Sequence, residues 1–134
     1  NAHLLRGPFC RIQGLLLLLS MTDNAQEEQN EIIGVALYYY RFSTWKGKTI
    51  HLEDLIVKET NRGTSAGFAL YTEIIKQGKK DNVKRIEWNV LDWNTPAIAF
   101  YKKSGATILN DWRVVHMDEI GIETFISKIE KTTN

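Results

Sequence analysis

Apolar and polar positions change period several times along this chain, and each change marks an element. Leu15 to Met21, which contains five consecutive leucines, reads as a fully buried strand. Asp23 to Asn30 has no apolar residue except Ala25 and reads as a hairpin loop. Glu31 to Phe42 is rich in Ile, Val and Tyr and predicts the next strand. A turn around Gly47 leads into a strand from Thr49 to Val57, then a polar loop from Lys58 to Ser65. From Ala66 to Lys80 the period becomes helical. Leu70, Tyr71, Ile74, Ile75 and Gly78 fall on one side, with Glu73, Lys76 and Lys80 elsewhere. Lys84 to Trp93 predicts another strand after the Asp81-Asn82 turn. Thr95 suits an N-cap, Pro96 the first helical position and Gly105 the residue after a helix that runs to about Lys103. Ala106 to Leu109 and Arg113 to Met117 predict short strands around Asn110-Asp111, and Ile122, Phe125, Ile126 and Ile129 a last amphipathic helix. The order β-β-β-α-β-α-β-β-α predicts one α/β domain over residues 1–134 with a mixed sheet.

Composition narrows the function classes. The 134 residues are 43% hydrophobic and 25% charged with a net charge of +1, an ordinary balance for a globular domain with its own core. Nonspecific nucleic-acid binding needs a clustered positive excess, so no nucleic-acid partner is expected. The lone Cys10 excludes an intrachain disulfide and fits a reducing, cytoplasmic compartment. His3, His51 and His116 have no ligand spacing, so no metal site is expected, and His51 reads as a packed or semi-exposed strand residue rather than a base. The leucine run is far shorter than the about 20 apolar residues of a membrane span. Arg6 and Arg11 precede it as in a signal peptide, but MTDNAQ is a poor cleavage site, so a strand is expected and no membrane partner.

Three stretches carry candidate chemistry. The first is the turn Arg62, Gly63, Thr64, Ser65, Ala66, Gly67, between a strand and a helix start, where small residues and free amides suit a pyrophosphate. Such turns are also common without a ligand, and the lysine of a GxxxxGK[ST] loop is absent. The second is Glu53-Asp54. Adjacent strand residues point to opposite faces, so the two acids are expected apart, one toward the core, unless a bulge intervenes. The inward one is either a hydrogen-bonded structural acid or a working one. The third is Trp93 to Pro96 with Phe100, Tyr101 and Lys102. Asn94 sits at a strand end leading into a helix, where α/β ligands bind, while Phe100 and Tyr101 also fit as plain core aromatics.

Together the blocks EIIGVALYYYRFSTWKGKTIHLEDLIV, NRGTSAG and IEWNVLDWNTPAIAFYKKSGA resemble the diamine (spermidine/spermine) N-acetyltransferase branch of the GNAT superfamily, over about Glu31 to Asp118. The resemblance implies a mixed, mostly antiparallel central sheet flanked by helices. It also implies acetyl-CoA as donor, a primary amine of a small polyamine or lysine-like molecule as acceptor, and a homodimer. It puts the phosphate signature on Arg62, Gly63, Thr64, Ser65, Ala66 and Gly67, and the strand along the pantetheine on Leu55, Ile56 and Val57. Asn94, with Thr95, Pro96 and Ala97 beside it, becomes a cofactor contact. Tyr101 becomes the general acid and a cofactor contact. Glu53 becomes substrate contact and water-relayed base, and Glu87, Trp88 and Asn89 the amine-binding strand. These roles suit the chemistry. About one alkylammonium in a thousand is free amine at pH 7, so a base must remove a proton before attack. A free strand N–H near Val57 would steady the oxyanion, and the expelled thiolate needs an acid. Glu53, Asp54, Glu87 and Asp92 would make an acidic region for a cationic substrate.

Two features depart from the family pattern. Ser65 stands where the signature has its middle glycine, and a Cβ there restricts φ and crowds a ligand. The family also carries a strand and helices ahead of the Leu15 strand, which wall the amine pocket. Asn1 to Gly14 is too short to supply them, so residues 1–20 are expected to be atypical or incomplete: either the domain continues beyond this sequence, which is the favoured reading, or part of the acceptor site has been lost. The alternatives are a GNAT enzyme acting on another amine, such as an aminoglycoside or a protein N-terminus, and a CoA-binding module without catalysis.

Overall fold

The computed structural model describes residues 9–12, 14–19 and 31–133, so the expected Asp23 to Asn30 loop and the end of the leucine strand lie outside the described residues. The chain divides into two compact units, one up to Asn89 and one from Val90.

In the first unit five strands form one sheet in sequence order. They are β1 (Phe9–Ile12), β2 (Leu15–Leu19), β3 (Ile32–Ser43), β4 (Gly47–Val57) and β5 (Arg85–Glu87). The first four run antiparallel to their neighbours and β5 joins β4 in parallel, so the sheet is mixed and mostly antiparallel. Helix α1 (Ala66–Lys80) has the bounds that its periodicity predicts, and it buries Ala66, Leu70, Tyr71, Ile74 and Gly78. Of these, Ala66, Leu70 and Ile74 pack on Ala36 and Tyr38 of β3 and Ile50 and Leu52 of β4 to make the core. Two glycines permit the close fit: a Cβ on Gly34 would lie 2.8 Å from Leu70 Cδ1, and one on Gly78 would lie 2.5 Å from Ile86 Cδ1. At the far end of the helix Tyr40 Oη donates to Asp81, and Gln77 Nε2 donates to the same oxygen over 2.7 Å. Those bonds, Tyr40's first, hold the Asp81 carboxyl below its usual range.

The β3–β4 pairing changes one expectation. Leu37 opposes Asp54 and Tyr38 opposes Leu52, so Glu53 is the extra residue of a β-bulge. Leu52 and Leu55 both turn toward the core, and the alternation skips a beat between them. Glu53 and Asp54 are therefore both exposed, and neither is the inward acid that strict alternation requires.

The second unit holds helices α2 (Thr95–Lys103) and α3 (Glu119–Thr132). Asn94, not Thr95, is the N-cap of α2: its side chain accepts from the Ala97 amide, and Pro96 falls in the first turn. Gly105 has φ +100°, as the position after a helix favours. Three strand expectations are corrected. The strand expected over Lys84 to Trp93 contracts to Arg85–Glu87, and Ala106 to Leu109 and Arg113 to Met117 form no strand. Branched residues such as Val114 and Val115 favour extended backbone, but a strand exists only where a partner takes its hydrogen bonds. Conversely β1 forms where no strand was read, and β2 supplies its pairing.

Candidate active site

The chemistry-bearing residues of the first unit lie on β4 and on the turn that follows it. β5 pairs with β4 only from Thr49 to His51. Beyond His51, among the described pairings, the outer edge of β4 through Leu55, Ile56 and Val57 has no strand partner. Backbone donors and acceptors on such an edge are open to an extended ligand. The chain then makes a single 3₁₀ turn at Glu59–Asn61 and reaches Arg62. Arg62 Nε bonds the Val57 carbonyl over 3.3 Å, tying the turn back to the strand.

The turn is built to present amides. Gly63 has φ +78° with open space where a Cβ would stand, and Ser65 has φ +66°. The first backbone bond into α1 is from the Ala69 amide to the Ser65 carbonyl. Among the described residues, no hydrogen bond uses the amides of Gly63, Thr64, Ser65, Ala66 and Gly67. Ser65, Ala66 and Gly67 hold three of the donors every helix leaves open at its start, at the positive end of its dipole, and Gly63 and Thr64 add two from the turn before it. An anion of pyrophosphate size suits this surface, and the unpaired edge of β4 suits an amide-bearing tail, so the residues present fit a CoA-type group.

Beside that edge lies a cluster of charge on the sheet face away from α1. The parallel register sets His51 against Glu87. His51 Nδ1 is 3.4 Å from Glu87 Oε1, within hydrogen-bond reach, and His51 Nε2 is 3.3 Å from Glu53 Oε2. Glu87 also bonds Arg41 and pairs with Arg85 Nε at 3.0 Å. Arg41 Nη1 lies 3.5 Å from His51 Nδ1, and the Tyr39 ring stacks on the imidazole with centroids 5.0 Å apart. The side chains of His51, Glu87 and Glu53 are 13%, 22% and 51% exposed. Two arginines thus neutralise the sheltered Glu87, whereas Glu53 stands half in solvent and faces only the imidazole among the described ion pairs. Among the described residues no group of His, Cys, Asp and Glu is arranged to hold a metal.

The sequence-predicted site residues therefore divide. Glu53, Asp54, Leu55, Ile56, Val57 and the turn from Arg62 to Gly67 are continuous in the chain and follow one another along one strand and turn. Glu87 joins Glu53 through His51. Trp88 turns the other way, packing on the core edge-to-face with Tyr71, ring centroids 5.7 Å apart, while Asn89 is exposed. In the second unit Asn94 caps α2, Thr95 and Pro96 are exposed, and Ala97 and Tyr101 are half-buried. The Tyr101 ring meets that of Phe100 at 5.6 Å. Sequence reasoning passed over His51 and Arg41. His51 precedes Glu53 by two residues, the spacing that shares a strand face, so part of the signal was in view.

Residues 16–106 match the sequence profile of the Acetyltransferase (GNAT) family. The chain belongs to that family. This GNAT chain is 34% identical over 98 residues to a thialysine N-epsilon-acetyltransferase of Caenorhabditis elegans, covering 71% of the chain and 61% of the relative. It is 32% identical to an L-ornithine acetyltransferase of Arabidopsis thaliana, covering 68% and 41%. The GNAT chain thus spans only about half the length of the curated relatives it matches. Among solved structures, an integron cassette protein from the mobile metagenome of V. cholerae superposes with a TM-score of 0.69 at 20% identity, covering 91% of this chain and 68% of that one. That likeness is one of fold. Among the described residues no helix is long and apolar enough to cross a membrane.

Proposed function

We propose that this protein transfers an acetyl group from acetyl-CoA to a primary amine of a lysine-like amino acid or a small polyamine. One observation carries the reading: the bulge on β4 turns the half-exposed carboxylate of Glu53 out beside the open strand edge, and that strand leads into the turn with five unused amides. Acetyl-CoA brings an activated thioester. The turn from Arg62 to Gly67 binds its phosphates, and Leu55, Ile56 and Val57 bind its pantetheine. Asn94, Thr95, Pro96 and Ala97 add cofactor contacts. Glu53 takes a proton from the ammonium substrate, and Asp54 beside it adds charge that favours a second cationic centre. Tyr101 protonates the departing thiolate. The relatives' names support the acceptor class, for they act on thialysine, on ornithine and, in a human protein 25% identical, carry the label spermidine/spermine acetyltransferase-like. Residues 1–134 act as a single catalytic domain, and the active form is a cytoplasmic homodimer.

The test is thiol release from acetyl-CoA in the presence of thialysine, ornithine, spermidine and an aminoglycoside in turn. Turnover with one of the first three is expected. Glu53→Gln should then lower kcat/KM by about 10²- to 10⁴-fold, the range of a positioned base. Calorimetric binding of acetyl-CoA without thiol release from any of the four amines would leave a binding module in place of an enzyme.

A further inference from the structure

We infer that His51 is the proton acceptor behind Glu53, so that the base of this chain is a relay of Glu53, His51 and Glu87 rather than a lone carboxylate. The inference rests on the reading of Glu53 as the base and deepens it. The imidazole lies between the two carboxylates, with Nδ1 at 3.4 Å from Glu87 and Nε2 at 3.3 Å from Glu53. A neutral imidazole has one N–H and one lone pair. Arg41 Nη1, 3.5 Å from Nδ1, has its close bond to Glu87 instead, so Glu87, sheltered and held by Arg41 and Arg85, is the fixed acceptor that selects the Nδ1–H tautomer. That leaves the Nε2 lone pair toward the Glu53 carboxyl. A histidine that merely bridged the two carboxylates would carry a proton on Nε2 and have no lone pair to receive another, so the tautomer decides its role.

The proton balance closes. The Glu53 carboxylate takes a proton from the substrate ammonium, giving the free amine and a carboxylic acid. The acid O–H bond breaks as the proton passes to Nε2, giving imidazolium and restoring the carboxylate. Nδ1–H remains bonded to Glu87 throughout, and the Nε2 proton leaves to water after the product departs. Imidazole is a stronger base than a carboxylate, so the second transfer runs downhill. It also keeps the proton off Glu53 while the amine attacks. The groups that face the ring are Tyr39 and Arg41 from β3, Glu53 from its own strand, and Arg85 and Glu87 from β5. Their formal charges cancel, so no single sign dominates the site.

Three measurements test the relay. Nitrogen-15 shifts of the wild-type imidazoles, with His51 assigned by its loss in His51→Phe, should report the Nδ1–H tautomer; an Nε2–H tautomer overturns the relay whatever the activity. In turnover, His51→Phe should lower kcat by roughly 10- to 100-fold, part of what a positioned base supplies. The pH dependence of kcat/KM should change with it, and an unchanged profile would overturn the relay. His51→Gln keeps hydrogen-bonding capacity without a basic nitrogen and should match His51→Phe; wild-type rates in His51→Gln would overturn the relay in favour of a merely positioning contact. Adding His51→Phe to Glu53→Gln should cost nothing further, because the two act in series. Wild-type turnover with an unaffected His51→Phe would defeat the relay alone, whereas a wild type inert toward every amine would defeat the transferase reading and the relay with it.

Discussion

Ser65 offers a quantitative test of the turn. Its φ of +66° and ψ of +6° lie in the left-handed region, where a Cβ crowds the following carbonyl. That conformation costs an L-residue about 1–2 kcal/mol. Its hydroxyl makes no capping bond to α1, and the residue is exposed, so nothing compensates locally. Ser65→Gly removes the strain but adds about 0.5–1 kcal/mol of unfolded-state freedom. The net gain should be about 0.5–1 kcal/mol, or roughly 2–4 °C in Tm for a chain of this size.

Urea unfolding of the wild type, Ser65→Gly and Ser65→Ala separates the terms. Alanine keeps the Cβ and loses only an unbonded hydroxyl, so it should fall within about 0.5 kcal/mol of the wild type. A glycine variant no more stable than the alanine variant would refute the strain argument. Acetyl-CoA affinity carries a second outcome. The turn already holds φ positive at Ser65, so glycine should change affinity by less than about threefold, under 0.7 kcal/mol. A larger gain would mean that the serine side chain itself obstructs the phosphates.

Other substitutions probe other parts. Gly78→Ala raises helix propensity by about 1 kcal/mol but drives a Cβ to 2.5 Å from Ile86 Cδ1; overpacking of about 1–3 kcal/mol should win, and Ile86→Val should recover part of the loss in a double-mutant cycle by urea unfolding. Asp81 is held below the usual carboxylate range chiefly by Tyr40 and next by Gln77, so its stabilisation is complete above about pH 4 and lost as pH falls through the depressed value. Asp81→Asn should remove that acid slope from urea midpoints measured against pH. Tyr101→Phe should lower kcat by about 10²-fold or more if the hydroxyl protonates the thiolate, while calorimetric acetyl-CoA affinity holds; unchanged kcat would remove Tyr101 from the chemistry.

What the sequence disclosed depended on how local each signal was. Helix α1 was legible to the residue because its apolar period, polar start and lysine-rich end all lie within one stretch. The turn from Arg62 to Gly67 was legible for the same reason, as was the serine in place of a glycine. The α2 cap slipped by one because Asn94 and Thr95 are both good caps, and only the backbone decides which side chain reaches the Ala97 amide. The bulge at Glu53 was not legible: it arises where β3 opposes three residues of β4 with two of its own, which neither strand states alone. His51 was visible as a residue, but its meeting with Glu87 needs a parallel pairing across 36 positions of chain.

That division explains why one strand carries so much of the first unit's site. The first rungs of β4 are clamped between β3 and β5, and His51 stands on the last of them, so its ring has little freedom. Two residues later the bulge redirects Glu53 without moving His51, because the register on the β5 side has already ended. Were the bulge absent, the side chains after Leu52 would return to strict alternation, and Leu55 could not reach the core face it shares with Val57. The core therefore enforces the bulge, and the bulge exposes the acids. Deleting Asp54 removes the extra residue and the bulge together: Leu52, Glu53 and Leu55 then alternate strictly, Glu53 falls opposite Leu37, and Leu55 and Val57 keep the core face. The deletion should therefore fold, with a urea midpoint close to that of Glu53→Ala, which removes only exposed atoms. An unfolded deletion variant beside a near-native Glu53→Ala would contradict this account of the bulge.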